Sequence, residues 1–334
     1  MGKERIRAGM AVIKYRDALN QALKEEMTRD PSVFCMGAGI AERGGSYKVT
    51  DQLLQMFGPL RVTDTPLSEA SFVGMAGGAA IVGARPVVEV LFVDFTMLTM
   101  DQVVNQIAKF HFMTGGQGFV PMVLRTQGGV GNGLAGQHSQ SLEALFYHIP
   151  GLRVVMPSTP YDAKGLLKSA IRDDHPVIFI EHKQLYMTEG EVPEEEYLIP
   201  LGQADVKRTG ADITLVTYSH MTLKCLEAAR ILEESGVDTE VIDLRTLVPM
   251  DMACVLRSVE KTGRLAVAHE APQRGGVGGD IISRVIEEGF YLLEAPARRI
   301  AGKNTTIPFN SWLEKLCIPT VEEIVKGVQE VMDA

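Results

Sequence analysis

Several things are scarce in this sequence of 334 residues, and each scarcity closes off a class of protein. There are four cysteines, Cys35, Cys225, Cys254 and Cys317, scattered with no C-x-x-C pair. That spacing argues against a disulfide framework and a cysteine-based zinc site, and it suits free thiols in a reducing compartment. Basic residues are in the minority, with 33 Lys and Arg against 42 Asp and Glu and a formal net charge of −9. Such a balance disfavours nonspecific binding to nucleic acid or to anionic membranes. No apolar run reaches the roughly 18–20 residues that span a bilayer. Met1-Gly2-Lys3-Glu4-Arg5 is not followed by an apolar core, so no signal peptide is expected. Position 6 is Ile rather than Ser or Thr, which argues against myristoylation. A cytoplasmic protein is the expectation.

Catalytic signatures are also missing. There is no G-x-x-x-x-G-K-[ST] phosphate loop, no H-E-x-x-H metal pair and no G-x-S-x-G nucleophile elbow. Glycine is nevertheless plentiful at 33 residues. The run from Gly74 to Gly83 sits within an expected helix, so it is not a strand-to-helix dinucleotide turn. The loop Gln273-Arg274-Gly275-Gly276-Val277-Gly278-Gly279 does follow a strand and precede a helix. It serves either a nucleotide or close packing.

What is present is a two-domain α/β pattern. A 46% hydrophobic, 22% charged composition is that of a globular protein, and the length suits two domains. Strands are expected at 33–36, 60–63, 86–92, 120–125, 152–156 and 177–181, and helices at 17–27, 51–57, 95–113, 141–147 and 163–171. Ser68 is the expected cap of a helix beginning near Glu69, and Asp162 the cap of the helix at 163–171. Strands alternating with helices predict a parallel sheet covered on both faces, with ligands beyond the C-terminal strand ends. The Gly37 loop, Glu69 and the loop ending in His138 each follow a strand. Glu189 to Glu196 is acidic, carries Pro193 and reads as a linker. The expected boundaries are 1–188 for the first domain, 189–202 for the linker and 203–334 for the second. In the second, strands are expected at 212–218, 239–243 and 265–269, with helices at 222–233, 252–259, 280–288 and 321–332.

Candidate residues stand on this frame. Glu69 opens a helix rich in small residues, where bare backbone permits close approach. It is either a helix cap or a catalytic acid/base. Among seven histidines, His138 ends a long glycine-rich loop after a strand and is either catalytic or structural. His269, followed by Glu270, is a second candidate. Phe92 and Phe95 flank Asp94 at a strand end, as core residues or as a wall for a flat heterocycle.

Taken together, Asp64-Thr65-Pro66-Leu67-Ser68-Glu69, Asp101-Gln102-Val103 with Asn105-Gln106, Gln137-His138-Ser139-Gln140, Pro150-Gly151-Leu152, Asp162-Ala163-Lys164-Gly165-Leu166-Leu167 and Asp243-Leu244-Arg245-Thr246-Leu247 resemble one family along nearly the whole chain. It is that of the β subunits of thiamine diphosphate-dependent decarboxylating components of 2-oxo acid and acetoin dehydrogenase complexes. The resemblance implies two parallel-sheet α/β domains: a thiamine pyrimidine-binding domain, then a transketolase C-terminal-like domain. It implies oxidative decarboxylation of pyruvate or a related 2-oxo acid, with acetoin dehydrogenase as the alternative. It also implies an α2β2 heterotetramer with an α subunit, and a lipoyl acyltransferase as partner.

By the same resemblance Glu69 hydrogen-bonds N1′ of the aminopyrimidine, which favours its imino tautomer and calls for a buried carboxyl with a raised pKa. Phe95 packs on the pyrimidine, and His138 acts near the substrate and the lipoyl arm. Met122, Ala170, Asp173 and His175 fall where the family wraps a structural potassium ion. The Gly-Asp-Gly segment that holds Mg2+ and the diphosphate is absent, which assigns that half of the cofactor to the α subunit and activity to the pair. Gly37-Ala38-Gly39 stands where the family carries acids, and this departure motivates the competing reading, a non-catalytic scaffold paralogue.

Overall fold

A computed structural model describes residues 9–334, so the expectations for the first residues lie outside the described region. Two compact units emerge. The first runs to Gln127 and resumes over Ile149–Leu201; the second comprises Gly128–His148 and Gly202–Ala334.

In chain order, the first stretch builds β1 (Met10–Lys14), α1 (Tyr15–Arg29), β2 (Val33–Gly37), α2 (Leu53–Phe57), β3 (Val62–Asp64), α3 (Glu69–Ile81) and β4 (Arg85–Val90). After a 3₁₀ run over Val93–Thr99 and a π-helical run over Asp101–Ile107 come α4 (Phe110–Met113), β5 (Val123–Gly128), α5 (Glu143–Tyr147), β6 (Arg153–Val155), α6 (Pro160–Arg172), β7 (Val177–His182) and β8 (Glu189–Pro193). The strands of the first unit lie in the order β6-β7-β5-β4-β2-β3. The pairs β2–β3, β2–β4, β4–β5 and β6–β7 are parallel. β2, β4, β5 and β7 are almost continuously buried, and β2, β4 and β7 are mostly apolar, as a sheet covered on both faces requires.

Four expectations change. The helix expected over 95–113 is broken into 3₁₀, π and short α pieces. Where the π-helical run meets α3, the bare backbone of Gly77 lies against Ile107 and that of Gly74 against Gln102. The room left by the missing Cβ atoms accommodates the wider π turn, in which Ala108 N donates to Val103 O at 2.9 Å. Ser68 occupies the cap position of α3 without capping by its side chain. Its hydroxyl turns back to the Pro66 carbonyl at 3.4 Å. The cap of α6 is Thr159, whose hydroxyl accepts from Asp162 N, so the helix begins earlier than expected and Asp162 lies in its first turn. Finally, Glu189–Pro193 is no solvated linker: it pairs antiparallel with β1. Farther on, Glu196 forms ion pairs with Arg172 and Lys168.

The second unit continues with β9 (Asp205–Arg208), β10 (Ile213–Thr217), α7 (Met221–Glu234), β11 (Thr239–Asp243), β12 (Thr246–Val248), α8 (Met252–Thr262), β13 (Leu265–Pro272), α9 (Gly278–Gly289), β14 (Arg298–Gly302), α10 (Ser311–Lys315) and α11 (Val321–Met332). Its sheet has the order β14-β13-β10-β11-β9, parallel except for the β9 edge. Ile213, Leu215, Ala228, Val241, Ile324 and Val328 belong to one buried core between this sheet and the helices α7 and α11. α11 starts at a complete capping box, Thr320 with Glu323, which fixes the entry of the chain into that core.

Candidate active site

In a parallel sheet the C-terminal strand ends share one edge, and the first unit gathers its candidate residues there. β3 ends at Asp64, whose carboxylate accepts the amides of Ala41 at 2.8 Å and Glu42 at 3.4 Å and so holds the loop after β2. Pro66 then turns the chain into α3, and Glu69 stands at its head. Glu69 is half-buried in this chain, not buried as the resemblance implied. No hydrogen bond or ion pair engages its carboxylate among the described residues.

The inner face of α3 buries Phe72, Val73, Ala76, Gly77 and Ala80. Its other side and flanks leave Leu67, Met75 and Val82 exposed, Leu67 at 82% and Val82 at 84%. Three apolar side chains are thus left uncovered on and beside one helix.

Phe92 and Phe95 meet edge to face, with centroids 5.9 Å apart and an interplanar angle of 70°. In a continuing strand, residues three apart would face opposite sides. The 3₁₀ run places residues three apart on one side instead. Lys183 Nζ lies 5.4 Å from the Phe92 ring centre. α3 packs against both the 3₁₀ and the π-helical runs, which brings the Glu69 helix and the Phe95 segment together.

Sequence reasoning missed two features of this sheet. Arg125 is directly opposite Glu89 in the β4–β5 register. It donates to Glu89 Oε2 at 2.9 Å and, bidentate, to Glu181 at 2.6 and 2.8 Å. Tyr186 donates its hydroxyl to Glu181 at 2.6 Å. The readable signal was a charged residue within each of three expected strands, since a fully buried charge requires a partner. The second feature is Gln127 at the end of β5. It is 1% exposed, and neither atom of its amide has a hydrogen-bond partner among the described residues. This buried amide, at the edge of a parallel sheet where ligands sit, keeps its hydrogen-bonding capacity open.

His138 belongs to the second unit. The loop leaves the sheet at the end of β5 and from Gly128 onward groups with residues 202–334. Glu270 Oε1 accepts from Val130 N at 2.8 Å and from the Ser141 hydroxyl at 3.1 Å. Deeper in the unit, Tyr218 donates to Glu143 at 2.8 Å.

His269 is a core residue. Its ring is fully buried and lies nearly parallel to Tyr218, with centroids 6.3 Å apart. Of the two readings of the glycine loop, a nucleotide or close packing, the structure shows packing against this ring: a Cβ at Gly276 or Gly278 would fall 2.4 or 2.6 Å from it. Burial, with Arg299 adding to it, lowers the His269 pKa to about 4. Between that value and about 6.5 the unfolded chain binds a proton that the folded chain refuses. Stability is therefore expected to be complete above about pH 6.5 and to fall as the pH drops towards 4. Thermal unfolding across this range checks it, and His269→Gln is expected to flatten this component.

The parallel sheet of the first unit and, taken by itself, that of the second define a transketolase-like class. The transketolase pyrimidine-binding domain matches residues 11–189, and the transketolase C-terminal domain residues 202–324. A solved split-gene transketolase, described as an inactive beta4 tetramer, superposes with a TM-score of 0.79 at 23% identity, covering 96% of this chain and 98% of that one. That likeness carries the fold alone.

Nearer relatives narrow the class. The chain is 47% identical over 96% of its length to the pyruvate dehydrogenase E1 component subunit beta of Rhizobium meliloti, of which the match covers 70%. It is 48% identical over 94% of its length to the acetoin:2,6-dichlorophenolindophenol oxidoreductase subunit beta of Cupriavidus necator, covering 96% of that protein. A third, 46% identical, is the pyruvate dehydrogenase E1 component subunit beta of Rickettsia felis, 98% covered. The chain belongs to the family of β subunits of thiamine diphosphate-dependent 2-oxo acid and acetoin dehydrogenase components.

Proposed function

We propose that this chain is the β subunit of a thiamine diphosphate-dependent dehydrogenase component that decarboxylates pyruvate or a related 2-oxo acid and passes the acyl group to the lipoyl group of an acyltransferase. The observation that carries the proposal is Glu69, an uncommitted carboxylate at the ligand edge of the sheet, on a helix that packs against the Phe95 segment. When bound, the cofactor supplies a thiazolium that takes up the electron pair released in C–C cleavage. Glu69 would hold the proton at N1′ of the aminopyrimidine, Phe95 would pack on that ring, and the Gln127 amide would offer the site a buried NH2 donor and a carbonyl acceptor. His138 transfers a proton during acyl transfer.

The diphosphate and its Mg2+ fall to an α subunit, because no Gly-Asp-Gly segment exists in this chain. The uncovered apolar side of α3 supports such a partner, in an α2β2 assembly. The buried free cysteines support a reducing, cytoplasmic setting: burial pushes the Cys35 and Cys225 thiols up to about 12, so they stay protonated and inert. No helix among the described residues is long and apolar enough to cross a membrane.

Acetoin is the second reading, favoured by the relative that is 48% identical over 96% of its own length. Mixing the chain with its α partner and assaying pyruvate, branched-chain 2-oxo acids and acetoin tests both. Neither chain alone is expected to turn over, and the pair is expected to do so with one of these substrate classes. Turnover by the isolated chain would sink the proposal.

A structural potassium ion fits these residues poorly. Met122 and the 170–175 segment precede β5 and β7, at the edge of the sheet opposite Glu69. The carbonyls of Ile171 and Asp173 both accept from Arg85 at 3.1 Å, and the Met122 carbonyl accepts from Val177 N at 2.9 Å. The Asp173 carboxylate is held by Arg153 at 2.8 Å and by His175 at 2.9 Å. Two guanidinium groups, of Arg85 and Arg153, thus already lie against this segment. The unfolding temperature is therefore expected to be the same in potassium and sodium buffers at equal ionic strength. A selective gain in potassium would restore the ion.

A further inference from the structure

The loop bearing His138 is nearly without apolar anchors, yet the second unit holds it at several points. Gly129 N donates to Gln140 O at 3.0 Å, closing its neck. Its outgoing limb is gripped by a carboxylate far along the chain. Glu314 Oε1 accepts from Gly131 N at 2.7 Å, and Glu314 Oε2 accepts from Gly133 N at 2.8 Å.

Glu314 is 0% exposed and sits on α10, whose start is fixed by the Asn310 side chain accepting from Trp312 N and Leu313 N. Both glycines have positive φ, +115° and +64°, so the amides converge on one carboxylate in a shape that a side-chain-bearing residue takes only at a cost. Two residues past Gly133, Ala135 also has positive φ, and its carbonyl accepts from His138 N at 3.3 Å. On the returning limb, a Cβ at Gly136 would fall 2.6 Å from Thr306 Cγ2, so the loop lies directly on the chain leading to α10.

We infer that Glu314 is a positioning residue: its buried carboxylate clamps Gly131 and Gly133 and thereby sets where His138 stands in the acyl-transfer step. This rests on the role proposed above for His138. Charge-assisted hydrogen bonds of this kind are about twice as strong as neutral ones. No nearer residue of the described chain grips these two amides. An isosteric amide breaks the clamp without emptying the space. In Glu314→Gln one glycine amide keeps an acceptor and the other faces an NH2 donor.

The test uses the assembled α–β enzyme with a lipoyl acceptor and a double-mutant cycle. Glu314→Gln is expected to lower kcat by about 10–100-fold, with KM for the 2-oxo acid within about twofold, in the manner of lost orientation. In a His138→Ala background the same substitution is expected to change kcat by less than about twofold. Amide hydrogen exchange is expected to quicken in residues 128–138 of Glu314→Gln and to stay unchanged in the sheet of the second unit. Glu314→Asp, which keeps the charge, is expected to recover part of the rate. Equal losses in both backgrounds, or unchanged exchange in the loop, would overturn the clamp. Quickened exchange together with a His138→Ala enzyme of normal rate would instead overturn the role of His138, and the positioning role with it.

Discussion

Glu69→Gln in the assembled enzyme is expected to lower turnover by about 10²–10⁴-fold, the range that a positioned acid/base contributes. The substitution keeps the shape of the side chain and removes its ability to hold a proton at N1′. Its effect on the fold is expected to be small, because no hydrogen bond or ion pair among the described residues engages the Glu69 carboxylate. What is lost is the favourable placement of a negative charge in the first turn of α3, worth about 0.3–1 kcal/mol. The check pairs turnover with thermal unfolding of the same preparation. A large loss of rate with an unfolding temperature shifted by only a few degrees supports a chemical role. A rate within a few-fold of the parent makes Glu69 a helix-starting residue and nothing more.

The second large effect is on stability. Arg125 joins three neighbouring strands through Glu89 and Glu181, both buried. Arg125→Met fills much of the same volume and leaves two buried carboxylates without their counter-charge. Removing one partner of a buried pair costs about 3–5 kcal/mol. For a unit of this size that corresponds to a fall in unfolding temperature on the order of 10 °C.

The loss is also expected to depend on pH. Burial pushes the Glu181 carboxyl up, and Arg125 pulls it down. Without Arg125 only the Tyr186 hydrogen bond still opposes the upward push, so the folded variant holds a proton that the unfolded chain releases near its ordinary carboxylate range. The variant is thus least destabilised at low pH and loses stability as the pH rises. Unfolding temperatures of parent and variant at pH 5 and pH 8 measure this. An equal deficit at both values would mean that lost packing, rather than uncompensated charge, dominates.

The difference between these two residues explains how far the sequence alone could be read. Glu69 was legible because everything that places it is local. Pro66 ends the strand, and small residues follow where α3 meets the π-helical run. The parallel α/β pattern was legible for the same reason: continuous apolar strands and alternating helices are features of short windows. Arg125 was not legible, because its partners lie 36 and 56 residues away, and no local pattern says which buried acids will face it.

Distance also hid the ownership of the His138 loop. It interrupts the first unit in sequence, but its anchors Glu270 and Glu314 lie 140 and 183 residues further on. The helix expected over 95–113 failed for a different reason. Its composition is helical, but its geometry is set by contact with the glycines of α3, and tertiary contact outweighs propensity there. At Gly37-Ala38-Gly39, where the resemblance calls for acids, the acid nearby is Glu89: a Cβ at Gly37 would fall 3.2 Å from Glu89 Cβ. Its carboxylate is paired with Arg125, so it supports the sheet rather than replacing an acid at position 38.

The central claim is that Glu69 acts on the aminopyrimidine ring of the bound cofactor. The most direct measurement is hydrogen–deuterium exchange at the thiazolium C2 position of thiamine diphosphate bound to the assembled α–β enzyme, followed by quenched-flow NMR for the parent and for Glu69→Gln. Rapid exchange is expected in the parent and a fall of at least about a hundredfold in the variant, with the cofactor still bound. Equal exchange rates in the two enzymes would contradict it.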